Sequence, residues 1–218
     1  AVRGDFVRLG DRGWAKVSQQ LRQQLNQLHD SVNQERGTLK FDATSAPAIR
    51  ELLSEQVAMK ATAAWNQCLQ RLDKAEKLDP ILPAELKADL RDYQLDGFKW
   101  LRRLAEWGVG GILADDMGLG KTLQTLAVIL DRAASGPTLV IAPTSVGFNW
   151  VRETERFAPT LDVHLYRETE RAEFLQQVGP NSLVVCSYGL ALRDAEALAK
   201  IEWSSLILDE AQAIKNSR

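Results

Sequence analysis

The sequence predicts an α/β fold in which helices flank a parallel sheet, preceded by a small, mainly helical domain with a short hairpin. After residue 108, four short aliphatic runs alternate with helix-length segments, the pattern of parallel strands buried on both faces. Before about residue 88, apolar residues instead recur at helical spacings of three and four. Pro80 and Pro83 separate the two patterns, and proline breaks helices. We therefore predict an accessory domain over 1–88 and a second domain over 89–218.

Two helical stripes and one hairpin make up the predicted accessory domain. FVRL and WAKV flank GDRG, whose residues suit a tight turn between two short strands. Residues spaced by three or four lie on one face of a helix, and this spacing predicts packed helices. The first stripe is Leu21, Leu25, Leu28 and Val32, and the second is Val57, Ala61, Trp65, Leu69 and Leu72.

Composition limits the classes of function. The 218 residues are 45% hydrophobic and 26% charged, and 27 basic against 29 acidic residues give a net charge of −2. A generally basic nucleic-acid surface is excluded, so any contact with nucleic acid has to be local. No apolar run approaches the roughly 18 residues of a membrane helix, and no signal peptide is evident, so we expect no membrane contact and a cytoplasmic location. Cys68 and Cys186 support neither a disulfide framework nor a zinc site.

A glycine-rich segment includes the first aliphatic run. Residues 110–125 read GGILADDMGLGKTLQT, which predicts a strand, a tight turn and the start of a helix. Backbone N–H groups and the helix N-terminus attract a phosphate, Lys121 adds a positive charge, and the Thr122 hydroxyl can bind Mg²⁺. The match is imperfect, because the strict P-loop pattern has glycine where Asp115 stands. The predicted nucleotide-binding residues here are Asp116, Met117, Gly118, Leu119, Gly120, Lys121, Thr122 and Leu123.

Two adjacent carboxylates end the last aliphatic run. Residues 205–216 read SLILDEAQAIKN, so Asp209 and Glu210 directly follow a predicted strand. Such pairs are common at solvated strand ends and are a weak signal alone. Placed in βα alternation after a phosphate loop, Asp209 is suited to hold Mg²⁺ and Glu210 to orient and deprotonate a water molecule. We predict Lys121, Asp209 and Glu210 as catalytic residues, with Thr122 and Asp209 as metal ligands.

Five segments follow one another from residue 90 onward. They are LRDYQLDGFKWL at 90–101, ADDMGLGKT at 114–122, IAPTSVGFNW at 141–150, VCSYGL at 185–190 and LDEAQAIKN at 208–216. In order and spacing they resemble the motifs of the SWI/SNF-type DNA-dependent ATPases, helicase-like members of superfamily two. That family has an acidic residue at the position of Asp115, and the DEAQ form is similar to bacterial members.

The resemblance implies an incomplete first RecA-like lobe over 89–218 that uses ATP and Mg²⁺. It implies that Gln94 reads adenine, since an amide can both donate and accept hydrogen bonds at the base edge. It also implies four contacts to the backbone of double-stranded DNA, namely Thr144, Ser145, Ser187 and Tyr188. The expected function is that of a double-stranded-DNA translocase that couples ATP hydrolysis to remodelling of protein–DNA complexes.

The family also has a second lobe with arginine fingers, and a strand between those that end at the loop and at Asp209. Neither occurs in these 218 residues. Arginine fingers accelerate related phosphoryl transfers by about 10³–10⁵. We therefore expect this polypeptide to bind ATP weakly and to hydrolyse it poorly, and we expect unpaired sheet edges.

Other interpretations stay open. The chain could belong to another superfamily-two helicase or an RNA-dependent ATPase, or it could be a non-catalytic interaction module whose helical accessory domain binds protein partners. Base stacking on tryptophan is less favoured, because five of the six tryptophans lie in apolar patterns that predict core packing. These five are Trp65, Trp100, Trp107, Trp150 and Trp203.

Overall fold

A computed structural model describes residues 2–3, 6–8, 14–16, 32–35, 38–53, 62–167 and 171–214. The chain divides into two compact units: residues 1–78 with 104–110, and residues 79–103 with 111–218. Residues 79–88, placed in the accessory domain by the sequence prediction, group with the second unit. The assignment of separate functional domains stays a prediction.

The first unit contains five short strands among its described residues. They are β1 (Val2–Arg3), β2 (Phe6–Arg8), β3 (Trp14–Lys16), β4 (Val32–Glu35) and β5 (Thr38–Phe41). Antiparallel pairing of β2 with β3, which brings Arg8 opposite Trp14, confirms the hairpin predicted across GDRG. The prediction of Val32 on a helix is wrong, because Val32 pairs with Phe41 in the β4–β5 hairpin. A β-branched residue and the neighbouring Arg-Gly turn sequence favour this pairing over the helical spacing.

Two helices follow in the first unit. They are α1 (Ala46–Leu53) and α2 (Ala63–Lys77). The Thr62 hydroxyl accepts a hydrogen bond from the Trp65 backbone N–H at 3.2 Å, so α2 begins with a capped first turn. Leu72 is buried, and Trp65 and Leu69 are half-buried, which confirms the part of the second stripe that lies on α2. The remaining stripe residues, Leu21, Leu25, Leu28, Val57 and Ala61, lie outside the described residues.

The second unit carries a parallel sheet of the order β7-β8-β6-β9, which confirms the α/β fold. Its strands are β6 (Thr138–Ala142), β7 (Asp162–Leu165), β8 (Ser182–Ser187) and β9 (Ser205–Leu208). The helices that begin in it are α3 (Asp92–Trp107), α4 (Lys121–Arg132), α5 (Thr144–Phe157), α6 (Arg171–Gln177), α7 (Tyr188–Arg193) and α8 (Ala195–Leu198). None of the described helices has the length and apolar character needed to cross a membrane.

Both faces of the sheet are covered by apolar side chains. On one face, Val140 of β6 and Val185 of β8 pack in a cluster with Leu126 and Ile129 of α4 and with Trp150 of α5. On the other face, their neighbours in the same two strands pack against side chains that include those of Tyr166 and Leu198. Successive residues of a strand point to opposite faces, so the continuous aliphatic runs supply both clusters.

The strand predicted at 109–114 is wrong. These residues form no strand, and among the described strands β9 pairs only with β6. The apolar side chains of Leu206 and Leu208 on β9 stay 59% and 42% exposed. The backbone N–H and C=O groups of a strand need a neighbouring strand to pair with. Two adjacent glycines in 109–114 further weaken a strand there, because glycine has no side chain to pack.

An arginine anchors α4 to the amino end of β9. The Arg132 guanidinium donates hydrogen bonds to the Ser205 hydroxyl at 3.0 Å and to the Ser204 carbonyl at 2.6 Å. From this anchor, the 12 residues of α4 extend for about 18 Å. Leu126 and Ile129 pack α4 on the sheet, and a short segment connects the helix to β6.

Replacement of Arg132 by alanine removes charged donors from two oxygen atoms, one of them a backbone carbonyl. We expect a loss of about 2 kcal/mol in the free energy of unfolding, measured by urea denaturation. The exposed Lys200 is the matched control, and Lys200→Ala is expected to change this free energy by less than about 0.5 kcal/mol. Equal effects of the two substitutions would contradict the anchoring role.

Candidate nucleotide-binding site

The loop before α4 folds back on the first residue of the helix. The Lys121 ammonium donates hydrogen bonds to the carbonyls of Asp115 at 2.7 Å and Asp116 at 3.1 Å. Gly118 and Gly120 adopt φ values of 84° and 77°, the left-handed region that glycine tolerates best. Open space surrounds the position of a Cβ at Gly118, whereas a Cβ at Gly120 would lie 2.4 Å from the Gln94 side-chain nitrogen.

Gln94 lies in the first turn of α3 and is 8% exposed. Its Oε1 accepts a hydrogen bond from the Arg91 N–H at 3.0 Å, and its Nε2 donates to the Leu119 carbonyl at 3.1 Å. The Tyr93 hydroxyl donates to the same carbonyl at 3.2 Å. The start of α3 therefore holds the glycine-rich loop. A side-chain amide has two donors and two acceptor lone pairs, so these bonds leave capacity for a base; the adenine contact itself stays a prediction.

Gln124 of α4 contacts the loop through Asp115. The sequence prediction did not include this residue. Its side chain is fully buried on α4, with Nε2 at 3.4 Å from an Asp115 carboxylate oxygen. Its Oε1 has no hydrogen-bond partner among the described residues and lies 1.9 Å from where a Cβ on Gly97 would stand. Gly97 thus admits the glutamine between α3 and α4. A polar residue within the apolar stripe of α4 is the signal that marks this position.

The acidic pair stands at the end of β9. One Asp209 carboxylate oxygen accepts a hydrogen bond from the Trp150 indole N–H at 2.8 Å, and the other accepts from the Glu210 backbone N–H at 2.9 Å. The Asp209 backbone N–H donates to the Ile141 carbonyl of β6 at 2.8 Å. Glu210 has a φ of 50°, and its carboxylate accepts a hydrogen bond from the Gln212 amide. The Asp209 carboxylate is therefore held in one orientation.

The four predicted DNA contacts divide into two groups. Thr144 and Ser145 are exposed at the start of α5. The Ser187 hydroxyl accepts a hydrogen bond from the Leu190 N–H at 3.3 Å and caps α7. The Tyr188 hydroxyl donates to the Asp209 carbonyl at 2.8 Å. Burial, and then the nearby negative charges of Asp209 and Glu210, raise the pKa of Tyr188, so it stays a neutral donor.

A groove of about 600 Å³ borders the loop. Gly120 and Leu123 line one side, and residues of α5 line the other. These α5 residues are Arg152, Glu153, Arg156 and Phe157. The Arg156 guanidinium lies 4.7 Å above the centre of the Phe157 ring. The sequence prediction missed both arginines, although their i, i+4 spacing on a helix that follows the GFNW segment places them on one face.

The tryptophans agree only partly with the predicted core packing. Trp150 is 3% exposed within the main cluster, and Trp203 is packed against the other one. The prediction is wrong for Trp100, which is 43% exposed on α3. Trp150 also has a role beyond packing, since its indole N–H binds an acidic side chain.

The chemical groups of the loop and of the acidic pair suit a nucleoside triphosphate with a magnesium ion. The open space at Gly118 leaves room for a phosphate, and Lys121 is within hydrogen-bonding reach of the loop. Hydroxyl and carboxylate oxygens, such as those of Thr122 and Asp209, are the ligands that Mg²⁺ prefers. A parallel sheet, a glycine-rich loop at a helix N-terminus and an oriented carboxylate define an α/β lobe of the RecA-like class.

A family model described as SNF2-related domain matches residues 93–218, more than half of the chain. The chain therefore belongs to the SNF2-related family, which confirms the resemblance in the motifs. YwqA of Bacillus subtilis (strain 168), named for an ATP-dependent helicase or translocase, is 35% identical over 229 residues that cover 94% of this chain and 24% of that protein.

Two further similarities each cover a little under two thirds of the chain. The chromatin-remodeling ATPase INO80 of Cryptococcus neoformans var. neoformans serotype D (strain B-3501A) is 42% identical over 151 residues, 62% of this chain and 9% of that protein. The solved Sulfolobus solfataricus SWI2/SNF2 ATPase core in complex with dsDNA is 41% identical, with a TM-score of 0.57, over 64% of this chain and 30% of that chain. The chain thus spans about a quarter or less of the length of the two curated relatives, YwqA and INO80.

Substitution of the two loop glycines by alanine separates backbone strain from side-chain contact. Gly118→Ala adds only the cost of a left-handed alanine, about 1–2 kcal/mol, whereas Gly120→Ala also meets Gln94. We expect Gly120→Ala to lower the free energy of unfolding more than Gly118→Ala does, and to increase hydrogen exchange across 119–123. In a Gln94→Ala background this difference is expected to disappear. An equal cost in both backgrounds would show that the contact with Gln94 does not matter.

Proposed function

We propose that this chain is the ATP-binding first lobe of a double-stranded-DNA translocase that couples ATP hydrolysis to remodelling of protein–DNA complexes. The observation that carries the proposal is that one lobe holds a glycine-rich loop folded on Lys121 at the start of α4 and an oriented Asp209 carboxylate at the end of β9. Membership of the SNF2-related family and the similarity to a core solved with dsDNA support it.

The loop and α4 are the parts proposed to hold the nucleotide. Backbone N–H groups of 116–120 would bind phosphate oxygens, and Lys121 would exchange its carbonyl partners for them. Thr122 and Asp209 would hold the magnesium ion, which when bound neutralises charge that develops on the phosphates. Glu210 would orient a water molecule and accept its proton, and Gln94 would contact adenine beside the groove.

The ends of β6 and β8 are proposed to contact DNA. Thr144, Ser145, Ser187 and Tyr188 follow these adjacent strands, where hydroxyl and N–H groups can bind phosphates without reading sequence. A second lobe would close on the nucleotide and the duplex, and hydrolysis would reopen the pair. The accessory domain is proposed to bind protein partners, and a bacterial cytoplasm or nucleoid is the proposed location.

Nucleotide binding depends on Lys121 in this proposal. We expect Lys121→Ala to weaken binding of a fluorescent ATP analogue with Mg²⁺ by about 10-fold or more, since one charged phosphate contact is lost. The exposed Lys200 again provides the control, because Lys200→Ala removes the same charge elsewhere. Unchanged affinity in Lys121→Ala would count against the phosphate site.

Hydrolysis by the 218-residue chain should be slow, because arginine fingers from a second lobe are proposed to be necessary. In a steady-state assay, its turnover with and without duplex DNA is expected to be about 10³-fold or more below that of a two-lobed ATPase of this family. Glu210→Gln should abolish the remaining activity while it retains nucleotide binding. Robust DNA-stimulated turnover by the chain would contradict this expectation.

A further inference from the structure

Two residues hold Asp209 by hydrogen bonds: Trp150, for which the sequence predicts core packing, and Tyr188, for which it predicts a DNA contact. Trp150 binds its carboxylate, and Tyr188 binds its backbone carbonyl, each at 2.8 Å. The first bond restricts rotation of the carboxylate, and the second restricts the peptide plane that follows it. Together they determine where the carboxylate points.

Both holding residues are close in the chain to proposed DNA contacts, and Tyr188 is one of these contacts itself. Trp150 is on α5, which begins at Thr144, and so it shares a rigid helix with Thr144 and Ser145. Tyr188 is the first residue of α7 and follows Ser187. A displacement of either turn is therefore transmitted to Asp209 over a single helix or a single peptide bond.

The surroundings make these links stiff. Trp150 is 3% exposed and packs in the main apolar cluster, so its indole cannot rotate away without disturbing the core. Tyr188 is half-buried at the start of α7, where its hydroxyl reaches the Asp209 carbonyl. Hydrogen bonds to a carboxylate in such surroundings are stronger than neutral ones in water.

We propose that Trp150 and Tyr188 are positioning residues that connect the two DNA-contact turns to the Asp209 carboxylate. Contact of 144–145 and 187–188 with a duplex orients this carboxylate toward the magnesium–nucleotide complex. DNA thereby stimulates hydrolysis through two hydrogen bonds within the first lobe. This inference rests on the proposed function and adds to it a route from DNA to the metal ligand.

The test uses Trp150→Phe and Tyr188→Phe in the complete two-lobed ATPase that contains this chain. Each substitution removes a donor and keeps an aromatic ring. Trp203 and Tyr166 provide matched controls, because the Trp203 indole donates to the Leu198 carbonyl at 2.8 Å and the Tyr166 hydroxyl donates to Asp194 at 3.1 Å. Both belong to the cluster on the other face of the sheet.

Four quantities are measured for each variant: the ratio of DNA-stimulated to basal kcat, the Mg²⁺ concentration for half-maximal binding of a fluorescent ADP, the affinity for duplex DNA, and the melting temperature. Loss of an outer hydrogen bond to a metal ligand typically costs 10–100-fold in affinity or activity. We expect Trp150→Phe and Tyr188→Phe to lower the stimulation ratio by about 10-fold or more. We expect Trp150→Phe also to raise the Mg²⁺ requirement, while the affinity of this variant for DNA stays within about 2-fold.

The controls, Trp203→Phe and Tyr166→Phe, are expected to lower the melting temperature without a change in the stimulation ratio or the Mg²⁺ requirement. If Trp150→Phe and Tyr188→Phe behave as the controls do, the two residues only pack, and the inference is overturned. If Trp150→Phe does not fold, Tyr188→Phe carries the test, because it removes a single oxygen atom. A wild-type enzyme with no DNA stimulation and no Mg²⁺-dependent binding would overturn the proposed function itself.

Discussion

Pairing of the central strand β6 with neighbours on both sides is the constraint on which the site depends. Residues Thr138–Ala142 pair in parallel with β8, and 138–141 pair with β9. Because the three strands are parallel and in register, they end at one edge, and the segments that follow them come together there. Side chains separated by dozens of residues in the chain therefore meet at Asp209. A shift of one residue in either pairing would turn the buried aliphatic side chains to the opposite face and displace these segments.

The glycine-rich loop depends on a different kind of constraint. It belongs to no strand, so contacts from helices determine its shape: Gln94 and Tyr93 hold the Leu119 carbonyl, and the loop carbonyls bind Lys121. In this arrangement the Lys121 ammonium and the Leu119 carbonyl have hydrogen-bond partners within the protein. A phosphate would have to offer Lys121 stronger charge-assisted hydrogen bonds than two carbonyls do, and phosphate oxygens can. Binding of a phosphate, as proposed, would therefore begin with the release of Lys121 from these two carbonyls.

Prediction from sequence succeeded for strands marked by a local run of apolar residues. It failed where the secondary structure of a segment depended on a neighbouring strand distant in the chain or across a hairpin. Three strands of the second unit follow the aliphatic runs closely, since a short continuous aliphatic run itself indicates a strand in a parallel sheet. The run at 109–114 looks similar but forms no strand, because a strand also requires a neighbour. Val32 kept a helical spacing and nevertheless pairs with Phe41. The apolar pattern around Trp150 predicts core packing, but it does not predict the hydrogen bond from the indole N–H to the Asp209 carboxylate.

The sequence by itself determined the class of fold, the glycine-rich loop, the acidic pair and the family, because each is encoded in contiguous residues whose chemistry is specific. The tertiary structure alone decided which groups touch: that Gln94 contacts the loop through Leu119, that Gln124 is buried against Gly97, and that Asp209 is bound by both Trp150 and Tyr188. Hydrogen bonds between side chains depend on distances of a few tenths of an ångström and on orientation. Only the packing of helices on the sheet sets these quantities.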